Sequence, residues 1–220
     1  MIPHPIPNVA PRQRVLWSQE FDQPVVPDET ASRSSGTVFL ALQPPAKIAA
    51  QAYCLGQKIR DVHGLRCSLT DPERLHLSLL GFGRRTLSKA AIDILCRIAA
   101  TVAMPAFRIE LNRAMSFGKN ADKSVKAHNR PFVLVGNDLT TAGIVMLRQH
   151  IIRALRDAGG TGYIPSSFTP HMTLFWDRRD PGEPAIEELC WTARDFVLIR
   201  SFRGMGKHEV LGRWPLQTPA

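Results

Sequence analysis

The sequence predicts an α+β domain built as two lobes related by a pseudo-twofold axis. Three observations carry this reading. Segments with the period-2 apolar alternation of strands are mixed with segments spaced as helices, without the strict alternation of a parallel sheet. The pattern His-apolar-hydroxyl-apolar occurs twice, as "HLSL" at residues 76–79 and "HMTL" at residues 171–174. Each copy falls on a strand that follows a helix, which makes the chain a rough internal repeat. With 220 residues, 44% of them hydrophobic and 21% charged, the chain is long enough for one generous core or two small lobes.

Residues 1–36 hold prolines at positions 3, 5, 7, 11, 24 and 27 and then the polar tract "DETASRSSG". Such composition predicts a flexible or loosely docked extension. One domain is expected over residues 37–216, followed by a short tail at 217–220. It opens with the strand "TVFLALQPP", closed by Pro44 and Pro45. Residues 46–62 place Ile48, Ala52, Leu55 and Ile59 at helical spacing. The turn signal "DPE" introduces the strand "RLHLSLL". A second helix spans residues 87–102, with Ser88 as its N-cap. The strands "FRIELNRAMSF" and "PFVLVGN" flank a polar loop at 118–130. A third helix opens at Thr140 or Thr141, runs to about Asp157 and stops at Gly159-Gly160. The strands "HMTLFW", "DFVLIRSF" and "HEVLGRWPL" complete the chain.

Composition also narrows the functional class. Apolar runs such as "GIVML" fall far short of the ~20 residues of a spanning helix, and no signal peptide is evident, so a cytoplasmic monomer with no membrane partner is expected. Cys54, Cys67, Cys96 and Cys190 form no CxxC pair and are expected as reduced thiols. There is no HExxH, no Asp/Glu cluster and no phosphate-cradling glycine loop, so neither a metal nor a cofactor is expected. Lys and Arg number 28 against 19 Asp and Glu, a formal charge of +9 that favours a polyanionic partner, nucleic acid before membrane.

The repeated motif supplies chemistry. Residues i and i+2 of a strand share a face, so His76 with Ser78, and His171 with Thr173, each present an imidazole beside a hydroxyl. Leu75, Leu77, Met172 and Leu174 point into the core. Were the two strands to meet, two imidazoles and two hydroxyls would converge on one point. A phosphate suits that point. Hydroxyls donate to its non-bridging oxygens, and imidazoles titrating near neutrality exchange protons. Arg84-Arg85 and Arg178-Arg179 follow their histidines at similar intervals and are candidates for a basic rim that binds RNA phosphates. Phe82 and Trp176 are candidates for base stacking. His4, His63, His128, His150 and His208 receive no role, since none sits in the paired motif.

The segments "PERLHLSL", "NRAMSF", "RPFVLVG", "FTPHMTL" and "LGRWPL" resemble the two-histidine (2H) phosphoesterase superfamily, and within it the RNA 2′,3′-cyclic phosphodiesterase, or 2′-5′ RNA ligase, family. The resemblance implies a bilobal fold of antiparallel-rich sheet with helices outside and a central cleft. It implies hydrolysis of 2′,3′-cyclic phosphate ends of RNA or nucleotides to a 2′-phosphate, with reversible 2′-5′ ligation as related chemistry. It also implies His171 as base and His76 as acid, with Ser78 and Thr173 on the phosphate, although the two motifs are chemically equivalent in the sequence. The chain departs from the family at Ser78, where relatives often have Thr. It departs again at Phe175-Trp176-Asp177, where many relatives have Leu-Ala-Arg. Two other readings stand beside this one: an RNA-binding module without turnover, and a 2H enzyme for a non-RNA cyclic phosphate.

Overall fold

The computed structural model describes residues 36–83, 87–117, 130–160, 168–202 and 205–217. The predicted N-terminal extension apart from its last residue, Gly36, most of the polar loop after Phe117 and the C-terminal tail beyond Gln217 lie outside these residues. Among the described residues, eight strands form one sheet: β1 (Gly36–Leu42), β2 (Leu77–Gly81), β3 (Phe107–Ser116), β4 (Arg130–Gly136), β5 (Met172–Asp177), β6 (Leu189–Ala193), β7 (Asp195–Phe202) and β8 (Lys207–Pro215). Their order is β6-β3-β4-β5-β2-β1-β7-β8, and every neighbouring pair is antiparallel. Three helices accompany them, α1 (Ala46–Val62), α2 (Lys89–Ala99) and α3 (Asp138–Asp157). None is long and apolar enough to cross a membrane.

The strand order is symmetric about the β5–β2 junction. Strand, helix and motif strand recur as β1-α1-β2 and as β4-α3-β5, so the expected pseudo-twofold lobes are present, curled into a half-barrel. The symmetry extends to the irregularities. Register shifts between Leu40 and Ala41 on the β1–β2 ladder, and between Phe132 and Val133 on the β4–β5 ladder. Each shift leaves one extra residue on the motif strand, which is the geometry of a β-bulge. Leu79 and Leu80 are both buried in the core as a result, and Leu174 and Phe175 match them on the other strand.

One face of the sheet carries the helices. Val38, Leu40, Leu42, Leu77, Leu79, Met172 and Leu174 join Ala52 and Ile59 of α1, Ile92 and Leu95 of α2, and Ile144, Leu147 and Ile151 of α3 in a single core that spans both lobes. The opposite face carries a small cluster of its own, Phe39, Ala41, Val197 and Ile199. That second face is the one left to the motif side chains.

Helix boundaries follow local chemistry. Residue Pro45 directly precedes α1, and Ser88 caps α2 by accepting the Ala91 N–H at 3.1 Å. The third helix starts earlier than its sequence signal. Asn137, a stronger cap than Thr, accepts the Thr140 N–H at 2.8 Å and opens α3 at Asp138. The Thr140 hydroxyl instead receives the Glu110 N–H at 2.8 Å, inside the protein. The second helix also ends earlier, at Ala99, where Thr101 closes the turn by donating its hydroxyl to the Ile98 carbonyl at 2.8 Å. Strand β6 is an addition to the sequence reading. It is a five-residue edge strand whose inward residues, Leu189, Trp191 and Ala193, alternate without a longer apolar run.

Leu77 lies at the junction of the lobes with a fully buried side chain, so Leu77→Ala is expected to destabilise the protein by about 2–5 kcal/mol in urea unfolding. A loss below about 0.5 kcal/mol, the scale of surface substitutions, would contradict a packed seam.

Candidate active site

The pairing of Leu77 with Met172 joins β2 to β5, and both side chains are 0% exposed on the helix-bearing face. In that antiparallel register His76 stands opposite Thr173, and Ser78 stands opposite His171. All four side chains take the other face, because side chains alternate along a strand. The two copies of the motif therefore meet as a twofold array of imidazoles and hydroxyls. Among the described residues neither hydroxyl has a hydrogen-bond partner, which leaves both for a ligand.

Each histidine sits one residue before its strand and is oriented in the same way. The short 3₁₀ turn Pro72–Arg74 ends at an extended Leu75, and the Arg74 carbonyl accepts a hydrogen bond from His76 Nδ1 at 2.7 Å. The Thr169 carbonyl accepts one from His171 Nδ1 at 2.8 Å. A carbonyl can only accept, so both neutral rings carry their proton on Nδ1 and keep the Nε2 lone pair free. A phenyl ring steadies each imidazole: Phe39 lies 4.8 Å from His76, and Phe117 meets His171 edge-on at 4.8 Å, centroid to centroid.

The site is not symmetric throughout. On β8, His208 pairs with Ser201, and its ring lies 5.4 Å from His76 and 5.7 Å from Phe39. Sequence reasoning passed over it because it has no motif and lies far along the chain from His76; its only signal is an alternating position on a strand. Burial lowers the proton affinity of His76, opposed by the Arg74 carbonyl and reinforced by the charges of His171 and Arg74. The pKa of His208 is lowered to about 4, by burial first and then by His76 and Arg74. Arg74 Nε and His208 Nδ1 are both buried without a hydrogen-bond partner among the described residues.

The candidate rim divides. Arg179 donates to the Gly64 carbonyl at 2.8 Å, and its backbone N–H to Asp177 at 2.8 Å, so it braces a turn against the end of α1. Arg178 is exposed on the same turn, and Arg84 and Arg85 lie outside the described residues. Phe82 is half-buried against the main core, and its backbone N–H donates to the Val38 carbonyl at 2.9 Å. Trp176 behaves differently. It is 53% exposed and pairs with Pro131, while Gly81, its counterpart beyond the other bulge, faces open space. Among the described residues no cluster of His, Cys, Asp and Glu is arranged to hold a metal ion.

The depressed pKa values give the fold a pH dependence with a definite sign. Unfolding frees His208 and His76 to bind protons at their ordinary pKa of about 6.5. The unfolded chain therefore binds more protons between about 4 and 6.5, and stability rises with pH through that window. Urea midpoints measured across it should increase toward neutrality in the wild type and more weakly in His208→Phe. A flat wild-type profile would contradict the burial of these rings.

The family model described as the 2′-5′ RNA ligase superfamily matches residues 44–204. No curated protein sequence matches the chain. Among solved structures, Escherichia coli LigT complexed with NADP+ superposes with a TM-score of 0.61 at 21% identity, covering 84% of this chain and 99% of that one. LigT complexed with 3′-AMP gives 0.61 at 21%, covering 83% and 99%. TT0787 of Thermus thermophilus gives 0.61 at 19%, covering 84% and 100%. These likenesses place the fold, and the matched span takes in both motifs and the seam between them. The chain belongs to the 2′-5′ RNA ligase superfamily of 2H phosphoesterases.

Proposed function

We propose that this protein hydrolyses 2′,3′-cyclic phosphate ends of RNA or nucleotides to 2′-phosphates, by acid–base catalysis without a metal. The observation that carries the reading is the twofold array at the β2–β5 seam: two imidazoles with free Nε2 atoms and two unpartnered hydroxyls. The formal charge of +9 favours a polyanionic substrate, and the nucleotide complexes of the LigT structures support a nucleotide ligand. Four free cysteines fit a reducing compartment such as the cytoplasm.

In this mechanism the cyclic phosphate sits between the two rings, with the Ser78 and Thr173 hydroxyls donating to its non-bridging oxygens. A neutral imidazole takes a proton from water as the water oxygen bonds to phosphorus. The P–O3′ bond breaks, and the protonated imidazole gives its proton to the departing O3′, leaving a 2′-phosphate and a free 3′-hydroxyl. The same displacement with a ribose 5′-hydroxyl in place of water forms a P–O5′ bond, breaks P–O3′ and is 2′-5′ ligation. Burial disfavours the protonated form of His76 while the Arg74 carbonyl favours it. The two motifs are equivalent in the array, and the order implied by family resemblance makes His171 the base and His76 the acid. Trp176 offers an exposed ring near the His171 half for stacking a base, and Arg178 offers a charge for a flanking phosphate.

His76→Ala and His171→Ala should each lower turnover by about 10²–10⁴-fold with the fold retained, and Ser78→Ala and Thr173→Ala should cost less. Near-normal turnover by either histidine variant would sink the paired mechanism. An acid matters only when the leaving group is poor. A nitrophenyl ester should therefore restore His76→Ala and leave His171→Ala defective, while rescue of His171→Ala alone would reverse the roles. Activity is expected to survive EDTA; loss on chelation with recovery on added metal would overturn the metal-free chemistry.

A further inference from the structure

His208 is a half-buried titratable ring that the mechanism above leaves unused, and it lies against one of its two histidines. We propose that His208 is a positioning residue for the reaction, which with Phe39 confines the His76 ring so that Nδ1 stays on the Arg74 carbonyl and Nε2 is presented to the phosphate. The proposal rests on the cyclic phosphodiesterase reading and adds a residue to it.

The geometry is a closed triangle of rings. Phe39 and His76 are 4.8 Å apart, His76 and His208 5.4 Å, and Phe39 and His208 5.7 Å, with His208 edge-on to both others. Three separate segments supply them: β1, the approach to β2, and β8. Val210, two residues beyond His208, pairs with Ile199 of the small cleft-face cluster, so β8 delivers His208 to the same face. A ring fixed by two others cannot turn about its own axis without collision, and the Nδ1 hydrogen bond then sets which nitrogen faces the cleft. Among the described residues His171 has one such neighbour, Phe117, so the third ring is what distinguishes the two halves of the site.

His208 suits this role as a neutral group. Its Nδ1 is buried without a partner among the described residues, and Arg74, whose Nε is also buried, stands close enough to oppose a second positive charge. The groups that face His76 are thus Arg74 from the 3₁₀ turn, His171 from the start of β5 and His208 from β8. Glu209, the next residue on β8, is committed to Arg200 at 3.2 Å. An uncharged ring packs against His76 without competing for its proton.

The test is steady-state kinetics of the full chain on 2′,3′-cyclic AMP across a pH series. His208→Ala should lower kcat by roughly 10- to 100-fold with little change in KM. It should also move the limb of the kcat/KM profile that His76 sets to higher pH, because water entering beside His76 relieves the burial that lowers its proton affinity. His208→Phe restores the ring and should recover both kcat and the limb. An unchanged kcat and limb in His208→Ala would overturn the proposal. A His208→Phe as impaired as His208→Ala would also overturn it, since the ring nitrogens and not the packing would then be needed. If His208→Ala does not fold, His208→Phe decides alone, recovery supporting the proposal and loss refuting it. Absence of turnover by the wild type on both cyclic AMP and cyclic-phosphate RNA overturns the functional reading as well, whereas wild-type turnover with an indifferent His208 overturns this inference only.

Discussion

The junction of β2 with β5 is the constraint on which the rest of the molecule depends. Its one ladder pair, Leu77 with Met172, lies at the centre of an eight-stranded sheet, where each lobe contributes its motif strand. Burying those two side chains on the helix face forces the residues on either side of them to the opposite face. A slip of one residue would turn the histidines into the core and the leucines outward. Core packing and chemistry are thus two consequences of a single register, and the energy that fixes the register is apolar burial on the face that does no chemistry.

From that register the site acquires features that a lone histidine lacks. Each imidazole is oriented by the carbonyl two residues before it, backed by a phenyl ring, and set opposite the hydroxyl of the other motif. The twofold arrangement suits a phosphate, which presents equivalent oxygens to either side. Catalysis, however, needs one imidazole neutral and one charged. Their surroundings differ. His76 lies in the drier half, beside Arg74, Phe39 and His208, and its charged form is disfavoured there. On the other half, Trp176 stands exposed where the matched position beyond β2 is Gly81, so the cleft is asymmetric in shape as well as in charge.

Much of this was legible in the sequence, for identifiable reasons. The Pro44-Pro45 pair and the spacing of Ile48, Ala52, Leu55 and Ile59 locate α1 at its observed bounds, since both are local effects. The paired motifs declare their strands and their shared face through a two-residue period. What could not be read depends on contacts between distant segments. The bulges that bury Leu79 with Leu80, and Leu174 with Phe175, arise from neighbouring ladders. Strand β6 is short and gains its identity from pairing with β3. His208 reaches His76 only because β8 lies beyond β7 and β1 in the sheet, and nothing in "KHEV" announces it. The core contact of Phe82 and the bond from Arg179 to the Gly64 carbonyl, just past α1, are contacts of the same distant kind.

The central claim is that the seam between the lobes directs water to one phosphorus and expels one ribose oxygen. It is tested most directly by a single turnover of an RNA ending in a 2′,3′-cyclic phosphate in heavy-oxygen water, with the product resolved by phosphate position and isotope content. The account predicts a 2′-phosphate alone, carrying the heavy oxygen on its phosphorus, beside a free 3′-hydroxyl. A 3′-phosphate, a mixture of the two isomers or an intact cyclic end would contradict it.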